Sequence, residues 1–466
     1  MAELNPLELK IINVWMEKFN FTDKIDIFAQ FVEISIYQSI FEPTIKAEML
    51  INDNIGLFVN YPFTGEEIIT FEYQQLSGID VGKKETKKIK FIISGVRDIV
   101  LDDRARAMMY IIDLKSLEFL QNTRKYVSHA YHDLAEDMAE KVYNTYISED
   151  TKDKFKQVKP FIKEESVKVR NLVIPNLRPF QAIQWLAKHA VAKDYENRFL
   201  YLFYEDLEAF NFVTIQKLIS DAQKNKKDLE KNKYRYLSDI ELADGIAIEQ
   251  KFSNDYQLRL ITNVVNNKRF SSIEKIVGGY YQNELFEISL LQKSYNSTPT
   301  EFDVNSKPKY SLEQNPLNTK EYIEYVKNKK DKTEYSNRIR YIINNYQDLD
   351  DQDKTQPNFR YKFGNATKYL FALNQIDLTI TVPANMQLKA GEIIYCDLPE
   401  THGFNIVEKD KYLTGLFIIT EVKQVVSQGN KAATTLRINK DGYLTSLFEK
   451  SLYNLEPLNF GGRGPA

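Results

Sequence analysis

The chain writes one strand twice. Residues 91–100 read FIISGVRDIV and residues 417–426 read FIITEVKQVV, with five of the ten positions identical. One similar decamer means little in a chain rich in Ile and Val, so the flanks decide. GEEIITFEY begins at Gly65 and GEIIYCDL at Gly391, and each glycine stands 26 residues before its phenylalanine, Phe91 or Phe417. Downstream, ARAMMYIIDL lies on KAATTLRINK at the same offset, which sets Ala107 on Ala433 and Ile112 on Ile438. Upstream, TIKAEMLI (44–51) and QIDLTITV (375–382) both alternate as half-buried strands do. A spacing shared by three strand-like segments points to an internal duplication. Its anchors are Gly65, Phe91, Ile92, Ile93, Val96 and Val100 in one copy and Gly391, Phe417, Ile418, Ile419, Val422 and Val426 in the other. The alternative is a pair of unrelated β units that alternate by convergence.

At 466 residues the chain exceeds one ordinary core, and about three or four domains are expected. Its net charge of −3 gives no overall basic footprint for nucleic acid. The single cysteine, Cys396, excludes an intrachain disulfide. No basic n-region followed by an apolar stretch opens the sequence, and no run approaches the ~18 apolar residues of a membrane helix, so neither a signal peptide nor stable membrane insertion is expected. With 29 Tyr and 28 Phe the chain is suited to half-buried strands and large contact surfaces.

The pattern predicts an α+β multidomain chain with two duplicated antiparallel β units. Residues 1–125 form the first β unit. Residues 126–245 form a middle α+β unit, with a helix over 128–147 capped by Ser128, a second helix opened by Pro179, and a strand, turn and strand over 199–215. Residues 246–366 read as a connecting β segment with a charged helical and loop insertion, 367–450 as the second β unit, and 451–466 as a flexible tail. The stretch AQKNKKDLEKNKYR (222–235) reads as a solvated helix or linker. It lacks the interleaved aromatics of a nucleic-acid arm.

No catalytic constellation stands out. His129 and His132, placed on the predicted helix with Asp133 and Glu136, form a metal pair in spacing only, with no second ligand cluster. His189 suits a helix C-terminus, His402 lies in a loop, and Cys396 sits in a strand with nothing nearby to lower its pKa. QDLDDQDKT (347–355) lacks the glycine and the terminal glutamate of a calcium loop. No catalytic residue, metal site or cofactor is expected, and the protein reads as architecture.

Taken in order, these segments resemble the baseplate hub proteins of contractile-tailed bacteriophages, related to the N-terminal hub module of type VI secretion spike proteins. EISIYQSIFEPTIKAEMLINDNIGLFVNYPFTGEEIITFEY looks like the first tube-type β-barrel. IPNLRPFQAIQWLAKHAV with FLYLFYEDLEAFNFVTIQKL looks like the middle domain, and VGGYYQNELFEISLLQKSY like the return towards the second barrel. IDLTITVPANMQLKAGEIIYCDLP with YLTGLFIITEVKQVV looks like that second barrel. The resemblance covers about two-thirds of the chain and is weak at 222–245 and 295–360. It implies a homotrimer in the virion tail baseplate, assembled in the bacterial cytoplasm. This trimer would join a hexameric tail tube, or tube-initiator proteins, to a separate trimeric spike. Tape-measure protein and baseplate wedges would be neighbours, and DNA would pass without specific binding. Neighbouring barrels would join by their sheet edges. The hub of a phage-like contractile injection particle is an alternative, and a tail-associated cell-wall hydrolase a more distant one.

Overall fold

The computed structural model describes residues 9–443, apart from 19–23, 76–85, 103–106, 156–157, 168, 195–197, 226–228, 230–231, 237–257, 269–270, 291–292, 302–310, 313–319, 328–337, 344–356, 400–409, 411 and 430–431. His402, the acidic loop at 347–355 and the tail at 451–466 lie outside the described residues.

The chain is mostly antiparallel sheet with helices on it. The first half supplies β1 (Leu9–Lys18), β2 (Lys24–Asp26), β3 (Phe31–Ser39), β4 (Lys46–Asp53), a short helix α1 (Leu57–Asn60), β5 (Glu67–Gln75), β6 (Thr86–Asp102) and β7 (Ala107–Ser116). Period-two alternation sorts their side chains. On β4, Ala47, Met49 and Ile51 are buried while Lys46 and Asn52 face solvent. Val14, Ile34, Met49, Phe71, Phe91 and Ile112, from six strands, share one hydrophobic cluster.

A middle unit follows. It contains α2 (Leu117–Arg124), β8 (Ala130–Asp133), α3 (Ala135–Tyr143), a π turn (Asn144–Ser148), α4 (Glu149–Phe155), β9 (Phe161–Lys163), β10 (Arg170–Val173), α5 (Pro179–His189), β11 (Tyr201–Glu205), β12 (Phe210–Thr214) and α6 (Ile215–Lys224). Its own core stacks Tyr143, Phe161, Phe180, Phe203 and Phe210. The expected helix over 128–147 is corrected here. Residues 130–133 pair with β10 as a strand, Leu134 stays extended, and the helix opens at Ala135 with Glu136 and Asp137 in its first turn. Ser128 is therefore not its cap. Backbone pairing with Arg170–Val173 overrides a periodicity that Met138 and Val142 do follow.

The remaining strands are β13 (Lys233–Tyr236), β14 (Leu260–Ile261), β15 (Asn263–Lys268), β16 (Gln282–Ser289), β17 (Ser294–Glu301), β18 (Arg338–Ile343), β19 (Ile376–Pro383), β20 (Ile393–Asp397), β21 (Gly415–Ser427) and β22 (Ala432–Lys440). Strands β16, β17 and β18 form a small separate sheet, packed by helices at Ser272–Gly278, Lys320–Val326 and Pro357–Leu373. The others join the main sheet. Strand β13, which the sequence reading places in the middle unit, bonds to β20, and β15 bonds to β19.

The main sheet runs β3-β4-β7-β6-β5-β1 in one half and β15-β19-β22-β21-β20-β13 in the other, and the last pairing differs, since β1 joins β5 antiparallel whereas β13 joins β20 parallel. Both long strands, β6 and β21, bulge at the same place, between Ile93 and Gly95 and between Ile419 and Glu421. On β7 and β22 the strict offset does not hold on either side of the bulge: before it Ile93 faces Leu114 and Ile419 faces Ile438. Val96 faces Ile112 and Val422 faces Leu436, so Ile112 corresponds to Leu436 rather than Ile438. A second irregularity between Arg97 and Val100, with Asp98 at φ 55°, changes how β6 and its hairpin run. Gly65 and Gly391 both take positive φ, 86° and 91°, in the turns before β5 and β20. In register Ile68 faces Ile92 and Ile393 faces Ile418, so the two glycines stand one residue apart relative to their strands.

The middle unit is fastened to both halves. Glu205, fully buried, accepts the Ile45 N–H at 2.9 Å and the Lys159 ammonium at 2.7 Å. Glu208 pairs with Lys87 of β6 and with Lys389 before β20. Tyr204 packs on the turn at Gly391, where an added Cβ would lie 2.4 Å from its hydroxyl. Beside the Glu205–Lys159 pair lies Glu118, whose carboxyl is pushed up to about 7 by burial and then by the Glu205 charge.

Two predictions follow from these packing facts. Gly391→Ala meets both a left-handed backbone and the Tyr204 ring, and should cost about 2–4 kcal/mol by denaturant unfolding. Gly65→Ala, with nothing within 4 Å, should cost about 1–2 kcal/mol from backbone strain alone. Equal losses would refute the packing account. For Glu118, the folded chain holds the proton more tightly than the unfolded one. The contribution of this group is therefore most favourable below the ordinary value of 4.5 and declines as pH rises through about 7. Glu118→Gln should raise stability at pH 8 by on the order of 2 kcal/mol and change little at pH 4.5. A gain that does not grow with pH would sink this.

Candidate assembly surface

Two features of the main sheet set it apart from an ordinary packed fold. One is the joint between its halves. The long strand β21 is shared: Gly415–Ile418 bond to β20, Ile418–Val426 to β22, and on its other edge Glu421–Ser427 bond antiparallel to β3. Val425 stands opposite Ser35 and Val426 opposite Ile34. The joint is packed as well as hydrogen-bonded. Val426, Ala384 and Met386 come from the second half but belong to the first half's core cluster. Gln75 reinforces it by accepting the Met386 N–H at 3.0 Å.

The other feature is the polar face of the sheet. Residues that alternate away from the cores line an open groove of about 1000 Å³ across the joint, including Tyr37, Lys46, Glu48, Asp113, Lys423 and Arg437. Carboxylates and cations line it in equal number. The Arg97 guanidinium donates to Asp113 at 3.0 Å, to Glu48 at 2.6 Å and to Asp98 at 2.6 Å. Arg437 donates to Asp377 at 2.7 Å and to Glu421 at 3.1 Å. Hydrogen bonds to Asp113 and to Asp377 hold the two guanidinium pKa values above the ordinary range. Lys46 pairs with Glu42 at 2.6 Å, and the Lys423 ammonium lies over the Tyr37 ring. The two halves solve the problem with opposite polarity. Asp113 faces Gly95 just beyond one bulge, and Arg437 faces Glu421 just beyond the other.

The repeat anchors fall into two groups. Phe91, Ile92, Ile93, Phe417, Ile418, Ile419, Val422 and Val426 are buried, and Val96 packs partly against the first core. Val100 departs from its counterpart. It is 61% exposed, whereas Val426 is 1% exposed. Of the basic stretch, Lys224 ends α6 near Asp221, and Lys233 pairs with Asp397 over the Tyr395 ring, so neither lines the groove. Lys226, Lys227 and Lys231 lie outside the described residues.

The histidines are not brought together. His132 is on β8, bonded to Asn171, and His129 precedes that strand with its ring against Tyr131. Strand alternation puts positions three apart on opposite faces, so the helical i, i+3 pairing is gone. His189 closes α5, with its ring on Trp185 and Nδ1 2.8 Å from the Trp185 carbonyl. Cys396 is buried, and burial pushes its thiol pKa up. Among the described residues no group of three or more His, Cys, Asp or Glu side chains could hold a metal ion. No described helix is long and apolar enough to cross a membrane. The arginine networks were not foreseen. Their only sequence signal was charge at alternate strand positions, which reads the same as a plain solvated face.

No family model and no curated protein matches the chain. Among solved structures it is similar to a tail protein from Neisseria meningitidis, at 10% identity and a TM-score of 0.43, over 93% of this chain and 97% of that one. It is similar to a 43 kDa tail protein of prophage MuSo2 from Shewanella oneidensis, at 10% identity and a TM-score of 0.48, over 92% and 98%. It is also similar to an Escherichia coli component of the type VI secretion system, itself described as similar to T4 bacteriophage tail proteins, at 8% identity and a TM-score of 0.40, over 95% and 80%. These three are two tail proteins and a type VI secretion component.

Proposed function

We propose that this protein is a structural hub of a phage tail baseplate, a homotrimeric adaptor between a sixfold tail tube and a threefold spike. The observation that carries this reading is the repeated strand order of the main sheet, with its two halves joined edge to edge in one chain. We read the halves as two copies of one tube-type barrel. Three chains then provide six similar units in a ring, with approximate sixfold symmetry towards the tube and true threefold symmetry towards the spike. The duplication removes a symmetry mismatch without a second gene product. The middle unit, bonded to both halves through Glu208, would keep the two copies at a fixed angle.

The polar sheet face suits the wall of a conduit. Duplex DNA is held by unpaired cations, because each phosphate neutralised releases counterions. Here Arg437 of the groove, and Arg97 bonded to its Glu48 and Asp113, are already held by carboxylates. The reading gives the protein no catalytic role. Its place is the virion tail, with tube protein on one side and a separate spike on the other.

Native mass measurement of the purified chain tests the assembly: a trimer is expected, and a strict monomer at every concentration would overturn the reading. A second measurement tests the wall. Replacing the carboxylates around Arg97, as Glu48→Gln, Asp98→Asn and Asp113→Asn together, should turn a trimer with negligible duplex binding into one that retains DNA. That binding should be lost steeply between about 50 and 200 mM salt. Strong retention by the unaltered trimer would sink the passive conduit.

A further inference from the structure

One lysine at the boundary between the first half and the middle unit has two carboxylates beside it. Glu205 of β11 takes the Lys159 ammonium on one oxygen at 2.7 Å and the Ile45 N–H on the other at 2.9 Å. Ile45 stands just before β4, and its carbonyl accepts the N–H of Ser116, the residue that opens α2. The second carboxylate is Glu118, in the first turn of α2 and buried. Helix α2 is seated on the first half, where Leu117 and Leu120 pack against Ile68 and Ile92. Glu118 and Glu205 therefore belong to opposite sides of one boundary.

A buried donor nearby has nothing to hold. Gln121, one turn along α2 from Glu118, is fully buried. Its oxygen accepts from the Arg124 guanidinium at 3.0 Å, but its amide nitrogen has no hydrogen-bond partner among the described residues. Residues three apart on a helix are neighbours, so this donor stands beside Glu118. A buried donor left empty is unfavourable in one state unless another state fills it. The other groups around Glu118 keep their charge state. Burial works against the Lys159 ammonium, but Glu205 and then Glu118 hold its pKa above the ordinary value. Burial, and then Glu118 and Glu205, push the Tyr143 hydroxyl up, so it stays neutral. Farther off, the Asp206 carboxylate accepts from the Glu208 and Ala209 N–H groups and the Asn211 amide. Asp150 of α4 lies by Arg124 and Lys125 at the far end of α2, and Lys115 of β7 lies over the Phe119 ring.

We infer that Glu118 is a proton-operated latch on this boundary. With its carboxyl neutral, Glu205 alone holds Lys159 and keeps Ile45. With it ionised, Glu118 draws the Lys159 ammonium and the Gln121 amide to itself, and Glu205 lets Ile45 go. Burial and then the Glu205 charge push the Glu118 carboxyl up to about 7, so the closed boundary holds the proton more tightly than the open one. Closure is therefore most favoured below the ordinary value of 4.5, and that advantage is lost as pH rises through about 7. What loosens is the seat of the middle unit on the first half, a local opening within a folded chain. The inference does not rest on the hub reading or on the number of copies.

Amide hydrogen exchange of the unaltered chain tests this at two reporters. The Ile45 N–H is held by Glu205, and the Met386 N–H is held by Gln75 at the other joint. Exchange rates divided by the intrinsic rates give the opening constants. At Ile45 the constant should rise about 70-fold from pH 5 to pH 8, the ratio for a carboxyl that falls from about 7 to 4.5 on opening. At pH 8 it should exceed that at Met386 by about tenfold or more and respond little to dilute urea, as a local opening does. Glu118→Gln should hold Ile45 at its low-pH value throughout. Gln121→Met, which removes the waiting donor, should make the rise smaller. Equal opening constants at the two amides, with equal urea dependence, would show that Ile45 is released only when the whole chain unfolds, and would overturn the latch without any variant. So would a flat profile at Ile45, or the same rise in Glu118→Gln. A full rise in Gln121→Met would overturn the part given to Gln121.

Discussion

Everything in this structure leans on one backbone ladder, the antiparallel pairing of β21 with β3. It fuses two half-sheets into one surface and lets the second half contribute Val426, Ala384 and Met386 to the first half's core. Main-chain hydrogen bonds give such a joint its direction and spacing but no choice of partner, because every strand edge offers the same groups. The apolar plug beside the ladder supplies the choice. A one-residue slip would turn Val426 to the polar face and Val425 to the core, so the plug also fixes the register. The middle unit then works as a brace. Glu205 and Glu208 reach from it to Ile45, Lys87 and Lys389, which lie on both sides of the joint.

Much of this was legible beforehand. Phe91 and Phe417 with their Ile-Ile followers are buried strand residues, each run ending at a bulge. That legibility comes from local chemistry: period-two burial and turn glycines are written within a few residues. What was not legible depends on distant partners. Val100 and Val426 are the same residue in the same motif, but the second irregularity in β6 sets Val100 at the register position of Val425, and no described strand lies beside it as β3 lies beside β21. The helix at Ala135 begins late because residues 130–133 find a strand partner some forty positions onward. Strand β15 falls in the stretch read as a connecting β segment, but nothing local announces that it pairs with β19, more than a hundred positions onward. The Ile112 and Ile438 match failed because the β6–β7 hairpin is two residues longer than the β21–β22 hairpin, one of them in the second irregularity of β6. Sequence offset cannot see hydrogen-bond slip.

The polar face holds a second lesson about magnitude. Exposed ion pairs stabilise folds little, typically below about 1 kcal/mol each, and the Arg97 and Arg437 networks need not be there for stability. On the conduit reading proposed above, their effect is on the field presented to passing DNA. A guanidinium bonded by two or three carboxylates has its donors satisfied and its charge cancelled within a few ångströms, inside the ~8 Å over which physiological salt would otherwise screen it. Charge can thus be abundant on a surface that has no net appetite for an anion.

The long reach of the β21–β3 ladder also has a cost in time. Gln38 and Gln424, hydrogen-bonded across it, are 386 positions apart in the chain. At bacterial elongation rates of about 5–20 residues per second, β3 leaves the ribosome on the order of 20–80 seconds before its partner is made. For that interval β3 has no β21 to pair with. Neighbouring nascent copies on one message carry the same edges. Productive synthesis must therefore outrun pairing between unfinished chains, which gives the order of the halves along the gene a kinetic meaning that the finished fold does not display.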